Sequence, residues 1–219
     1  MANKKFSIKE ALSFGWKSVT GNFGLFIGVM IVWALLVYVP NSISNTFKDK
    51  SQFLYTLSVV VASVISMILQ LGLMRVMLDF CDGKKTGIHG LFSCTGMFFQ
   101  YLAGSFLYNL IALVGLLLLI VPGVIWMVQF GFYGYFIVDK DSGPVEALRQ
   151  SAAITKGVKW DLFWFGLLFF LINMLGILAL LVGLLVTIPV TMLANAYIYR
   201  KLLAAAEAAQ PQGPAVAAA

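Results

Sequence analysis

Charge is scarce in this chain. Only 11% of its 219 residues are Asp, Glu, Lys or Arg, against about 25% in an average soluble domain. Histidine occurs once, at His89, and cysteine twice, at Cys81 and Cys94. Zinc needs about four clustered ligands, so one histidine and two dispersed thiols exclude a zinc-type centre. The cysteines also lack the close CxxC spacing of a redox pair or a disulfide framework, and read as two reduced thiols. Neither a soluble enzyme nor a disordered region fits such a composition.

Apolar side chains take the place of the missing charge. Hydrophobic residues make up 61% of the sequence, and the mean hydropathy is +0.93. A soluble protein of this size has too high a surface-to-volume ratio to bury that much apolar area. The fold class expected is therefore all-α and integral to a membrane. Charged residues divide the chain into long uncharged windows, and a bilayer crossing needs roughly 20 apolar residues. Six transmembrane helices in three hairpins are predicted, at about 23–39, 53–74, 98–120, 123–138, 162–180 and 184–199. Pro40 is expected to stop the first, Val121-Pro122-Gly123 to separate the third from the fourth, and Gly183 to mark the last turn. The fourth and sixth are short, so the hairpins 98–138 and 162–199 could each be partly re-entrant. A single membrane domain then covers 1–203, and the Ala, Pro and Gln tail 204–219 is expected to be disordered after at most a helical turn or two.

The net charge of +6 is distributed unevenly. Thirteen Lys and Arg fall on one side of the predicted spans, in the amino-terminal segment, the loops around Arg75–Lys85 and Lys140–Lys159, and at Arg200 and Lys201. Only Lys48 and Lys50 fall on the other. The positive-inside rule places both termini in the cytoplasm. Anionic lipid headgroups, rather than nucleic acid, are the partners such cations suit. The first apolar run is longer than the roughly 7–15 residues of a signal-peptide core, so it is read as a retained span.

Two amphipathic segments precede spans. Ser7-Ile8-Lys9-Glu10 has the capping-box pattern that starts a helix. After it, Ile8, Leu12, Gly15, Trp16 and Val19 share one face, opposite Lys9, Ser13, Lys17 and Thr20. Gly143-Pro144 starts the second, in which Val145, Leu148 and Ala152 oppose Arg149, Gln150 and Lys156. Both are expected to lie in the membrane plane, with Lys9, Trp16, Lys17, Arg149 and Lys156 at the lipid headgroups. Glu10-Ala11-Leu12 recurs as Glu146-Ala147-Leu148 at a shift of 136, and Leu113-Val114-Gly115-Leu116-Leu117 recurs as Leu181-Val182-Gly183-Leu184-Leu185 at a shift of 68. One shift is half the other, as a threefold repeat of interfacial helix plus hairpin requires.

Val121-Pro122-Gly123, Asp139, Gly143-Pro144-Val145-Glu146-Ala147-Leu148, Ser151, Thr155-Lys156-Gly157 and Trp160 together resemble a broad family of uncharacterised bacterial six-span membrane proteins. They are also similar to the membrane domain carried by some glycerophosphoryl diester phosphodiesterases. The likeness is best over 113–200, and Ala152 departs from it where relatives often carry Trp. The resemblance implies the six-span fold and a bacterial inner (cytoplasmic) membrane. It implies no activity, and the phosphodiesterase barrel is absent.

None of the six predicted spans contains Asp, Glu, Lys, Arg or His, which argues against proton-coupled transport and acid–base catalysis. Gly83-Lys84-Lys85-Thr86 lacks the earlier glycine of a phosphate loop, since Leu78 stands there. Asp139-Lys140-Asp141-Ser142-Gly143 lacks the twelfth-position Glu of a calcium loop, where Gln150 stands. Both are solvated turns. Arg75 and Asp79, four residues apart, are expected to pair. The polar candidates within the membrane are Asn109, Gln129, Asn173 and Asn195, read first as cross-helix glue and second as the lining of a solute path. Gly24 and Gly28 form a small-residue packing face, for another span or a second copy. The function expected is a non-enzymatic scaffold, lipid-organising protein or accessory subunit, without catalytic residues, cofactor or metal. A transporter or channel for a small uncharged or lipidic solute is the alternative.

Overall fold

The computed structural model describes residues 6–48, 50–84, 87–178 and 183–209. Lys4, Lys5, Lys85, Thr86, Leu181 and Val182 lie outside the described residues, as do 210–219 of the expected disordered tail. Every regular element among the described residues is helical: α1 (Ile8–Gly21), α2 (Phe23–Thr46), α3 (Gln52–Cys81), α4 (Phe98–Leu118), α5 (Ile120–Phe130), α6 (Tyr133–Lys140), α7 (Pro144–Ile154), α8 (Lys159–Leu178) and α9 (Leu184–Ala209). Two short 3-10 turns, Ile88–Phe92 and Thr95–Met97, lead into α4.

Among the described residues five stretches are long and apolar enough to cross a membrane: Phe23–Thr46, Gln52–Cys81, Ile88–Leu118, Ile120–Lys140 and Lys159–Leu178. This is a multi-pass membrane protein. The predicted span 184–199 lies on α9 and is not among the five. Thr187, Thr191, Asn195, Arg200 and Lys201 make that helix more polar. It is also well enclosed, with Val190, Leu193, Ala194, Ile198 and Tyr199 all buried, and a helix shielded by protein needs less hydrocarbon character.

The chain's own caps account for several boundaries. Ser7 Oγ accepts from the Glu10 N–H (3.4 Å) and starts α1 as the capping box predicts. Ser51 Oγ accepts from the Leu54 N–H (3.4 Å) and starts α3. Pro144 occupies the first turn of α7, where its missing N–H would be unpaired anyway. Past the predicted end at Met74, α3 continues to Cys81 because nothing interrupts it before Gly83, whose φ of 68° favours glycine.

Other boundaries differ from the sequence reading. Pro40 does not end the first long helix, which runs on to Thr46. Asn41 Nδ2 donates to the Val37 carbonyl (2.7 Å) and Ser44 Oγ to the Pro40 carbonyl (2.9 Å). Side chains thus supply donors around the proline, as apolar surroundings demand. The α4–α5 break falls at Leu119 (φ −167°, ψ 144°), ahead of the Val121-Pro122-Gly123 turn signal. Pro122 sits instead in the first turn of α5, where it is tolerated. Gly123 serves close packing: a Cβ there would lie 2.7 Å from Leu116 N and 2.9 Å from the Gly115 carbonyl carbon. At its carboxyl end α9 continues to Ala209, so 204–209 of the tail are helical, in keeping with alanine's high helix propensity.

The core sits towards one end of the bundle. It comprises Leu69–Leu78 of α3, almost the whole of α6, the middle of α9 from Val190 to Leu202, and Phe26, Val29 and Met30 of α2. By contrast, Leu35, Tyr38 and Ile43 of α2, Phe53 and Val60 of α3, Leu117 of α4 and Leu175 and Leu178 of α8 are exposed. Such a surface would aggregate in water; among acyl chains it is at home.

Candidate functional site: an ion network, a sealed helix break and an apolar groove

The carboxyl ends of α3 and α6 meet α9 at Arg200 in a connected set of charges. Arg200 Nη1 lies 2.7 Å from Asp139 Oδ2, and its Nη2 lies 2.7 Å from Asp82 Oδ2. Lys84 Nζ approaches Asp82 (3.6 Å) and Asp79 (3.9 Å), and Asp79 accepts the predicted pairing from Arg75 Nε at 3.2 Å. Tyr199 Oη donates to Asp139 Oδ2 (2.9 Å), and Arg75 Nη1 donates to the Val138 carbonyl (3.4 Å). Burial works against the Arg200 charge, but its hydrogen bonds and proximity to Asp139 and Asp82 outweigh that. Its pKa is raised above the ordinary arginine value. Three cations face three carboxylates, so the network balances itself and clamps three helices. The sequence reading missed Arg200, Asp139 and Asp82. A usable signal was that Asp82, Asp139 and Arg200 all follow apolar windows that end on the same predicted side.

A second polar centre lies where Gly131 and Phe132 separate α5 from α6. A helix broken among apolar neighbours frees backbone groups that need partners. Helix α7 supplies them. Ser151 Oγ donates to the Gln129 carbonyl (2.9 Å) and accepts from the Phe132 N–H (3.1 Å). Thr155 Oγ1 also reaches the Gln129 carbonyl (3.1 Å). Both hydroxyl residues are fully buried. The Gln129 side chain takes a separate role: its Oε1 accepts from Lys159 Nζ at the start of α8.

These contacts revise the amphipathic segments. Helix α7 buries Ala147, Leu148, Ser151 and Ile154, leaving Val145 exposed, because its hydroxyl face is turned into the break. Helix α1 buries Ala11, Gly15 and Val19, and it packs against α9. A Cβ on Gly15 would lie 2.6 Å from the Val190 carbonyl oxygen, and Phe14 stacks on Tyr197 at 4.8 Å. The Gly15 and Val19 part of its predicted membrane face is thus a protein contact, whereas Trp16 is 56% exposed. Lys9, Lys17, Arg149 and Lys156 are exposed, and Arg149 lies 3.5 Å from Glu146.

The four membrane amides do not converge. Asn109 Nδ2 donates to Ser105 O of its own helix (2.7 Å). Asn173 Nδ2 donates to Phe169 O (2.9 Å) and crosses to Thr191 Oγ1 on α9 (3.3 Å). Asn195 lies beside Tyr135 of α6, and Gln129 acts at the break. Among the described residues no hydrogen bond joins one of the four to another. At Gly24 and Gly28 an added Cβ would meet no atom of another described element within 4 Å, so the described residues leave this small-residue face unoccupied. Among the described residues no three His, Cys, Asp or Glu are grouped to hold a metal.

Between α5 and the start of α8 lies an apolar groove of about 470 Å³. Ile120, Val124 and Val128 form one wall and Val158, Trp160 and Phe163 the other, with Lys159 and Asp161 also on its lining. Gly157, at φ 86°, makes the turn that brings Lys159 beside Gln129.

A family model described as "Protein of unknown function (DUF975)" matches residues 103–206, which contain the helix break, α7 and the groove. An uncharacterized protein of Mycobacterium bovis is 23% identical over 240 residues, covering 95% of this chain and 73% of the relative. Two uncharacterized proteins of Mycobacterium tuberculosis, from different strains, match with the same identity and the same shares. No solved structure matches the chain. The chain is thus similar to uncharacterised bacterial proteins over nearly its whole length.

Proposed function

We propose that this protein is a non-enzymatic scaffold of the bacterial inner membrane that organises lipids or supports a membrane complex. One observation carries the reading: the fully buried hydroxyls of Ser151 and Thr155 are consumed, with the Gln129 carbonyl, in closing the helix break. A conduit would hold such groups available to a solute. The dispersal of the four amides supports the same conclusion, since Asn109 bonds within its own helix and Asn173 to its own and one adjacent helix.

On this reading α9 is the sixth span, and both termini are cytoplasmic. Support comes from the ion network, which joins the ends of α3 and α6 to α9 at Arg200, three places where positive charge follows an apolar window. The order of elements also suits a threefold repeat, with α1, the 3-10 turns and α7 each preceding two further helical segments, of which α9 is the more polar one. Exposed Lys9, Trp16, Lys17, Arg149 and Lys156 would meet anionic headgroups. The empty face at Gly24 and Gly28 would receive a second copy or a partner span.

The alternative, a path for a small uncharged or lipidic solute, is favoured by one detail. Asn173 Oδ1 and Thr187 Oγ1 are buried without a hydrogen-bond partner among the described residues. Stopped-flow light scattering on proteoliposomes with glycerol and urea separates the two. A scaffold gives the permeability of empty liposomes. Protein-dependent flux that Asn173→Leu abolishes at unchanged melting temperature would establish the path instead.

A further inference from the structure

We infer that the groove between α5 and α8 is a binding site for one phospholipid with an anionic headgroup, its acyl chain lying along Ile120–Val128 and its headgroup at Lys159. The inference rests on the lipid-organising reading above and gives it a location and a ligand class.

The walls come from Ile120–Lys140 and Lys159–Leu178, both apolar and long enough to cross a membrane. A groove in that setting adjoins hydrocarbon rather than water, and hydrocarbon is what its side chains suit. From Ile120 to Val128 the wall runs about 12 Å at 1.5 Å per residue. A volume of about 470 Å³ falls within the ~300–1,000 Å³ of small-molecule sites. Exposed Trp160 borders the groove, and tryptophan favours the headgroup level of a bilayer.

Charge selects the headgroup. Lys159 begins α8 and lines the groove. Its ammonium is fixed by the neutral amide oxygen of Gln129, and no carboxylate lies within 4 Å of it among the described residues. Asp161 shares the lining without forming an ion pair to Lys159. The amide thus orients a cation without neutralising it. Arg75, Lys84 and Arg200, by contrast, are each matched with carboxylates. A lipid phosphate carries the charge that Lys159 lacks. The geometry is also built by the fold: the Ser151 and Thr155 bonds set the end of α5, and the Gly157 turn sets the start of α8.

Native mass spectrometry of the full chain tests this, after incubation with vesicles of equimolar phosphatidylglycerol and phosphatidylcholine of identical acyl chains. The expected result is one retained lipid, with phosphatidylglycerol preferred. Lys159→Gln should reduce that preference about fivefold, the effect of one cation at a headgroup. Val124→Trp should block the groove and remove retention of both lipids, and Val124→Phe carries the same test with a smaller insertion if the Trp variant does not fold. Retention unaffected by either Val124 change would show only annular lipid and overturn the site. Retention that is sensitive to Val124 but equal for the two lipids would overturn the anionic headgroup. Protein-dependent glycerol flux would refute the scaffold reading instead, and leaves the lipid counts as a separate result.

Discussion

Ser151 reaches from α7 to accept the backbone N–H of Phe132 at 3.1 Å, at the point where α5 gives way to α6. One hydroxyl thereby joins a surface-derived helix to the interior of a membrane segment. Ser151→Ala should leave that N–H unpaired at a cost of about 1–3 kcal/mol, or roughly 2–12 °C in melting temperature for a chain of this size. Ser151→Thr, which retains a hydroxyl, should lose less. Thermal unfolding in detergent checks both, and an alanine variant that melts with the wild type would remove α7 from this role.

Arg200 holds Asp139 and Asp82 at once. Removing it by Arg200→Gln leaves two carboxylates facing each other's field with only Tyr199 and Lys84 nearby. The group is about a quarter exposed, so solvent screening reduces the loss to about 1–2 kcal/mol. Combined with Asp139→Asn, the loss should be smaller than the sum of the single changes. Strict additivity in a double-mutant cycle would mean that the pair is not energetically coupled.

Glycines separate into two groups with opposite expected outcomes. A Cβ on Gly72 would lie 1.9 Å from the Leu91 carbonyl oxygen, a backbone atom that cannot swing aside. Gly72→Ala should therefore displace the Ile88–Phe92 turn from α3 and cost at least the ~1–3 kcal/mol of overpacking. Gly24→Ala and Gly28→Ala meet no atom of another described element and should be neutral or slightly stabilising to the monomer, since alanine is the better helix former. A fall in oligomeric mass from Gly28→Ala, measured in native membranes, would identify that face as a contact between copies.

Orientation can be read by labelling single cysteines placed in a Cys81→Ala, Cys94→Ala background. A cysteine near Lys48 should react with an impermeant maleimide added from outside, and cysteines near Lys84 and Arg149 only after permeabilisation. External labelling at Arg149 would invert the topology.

Much of the scaffold was legible along the chain. The Ser7 cap, the Pro144 start and the Arg75–Asp79 pair all depend on residues within four positions of each other, and local chemistry specifies them. What stayed hidden was non-local. Arg200 lies 61 residues from Asp139 and 118 from Asp82, separations over which neither hydropathy nor periodicity carries information. The break at Phe130–Tyr133 announced itself only by Gly131, because its partners are on a different helix. Pro40 misled for a related reason: the residues that sustain the helix around it, Asn41 and Ser44, look like loop residues in sequence. The α1 stripe was visible, but its period says that a face is apolar, not whether lipid or α9 will cover it.

The position of Arg200 on the last described helix has a consequence for biosynthesis. Asp82 and Asp139 emerge from the ribosome well before their shared counter-ion, so the half-made protein carries two carboxylates whose clamp does not yet exist. Full pairing of both carboxylates therefore waits on synthesis of the last described helix, and so does cover for the face of α1 that α9 packs against.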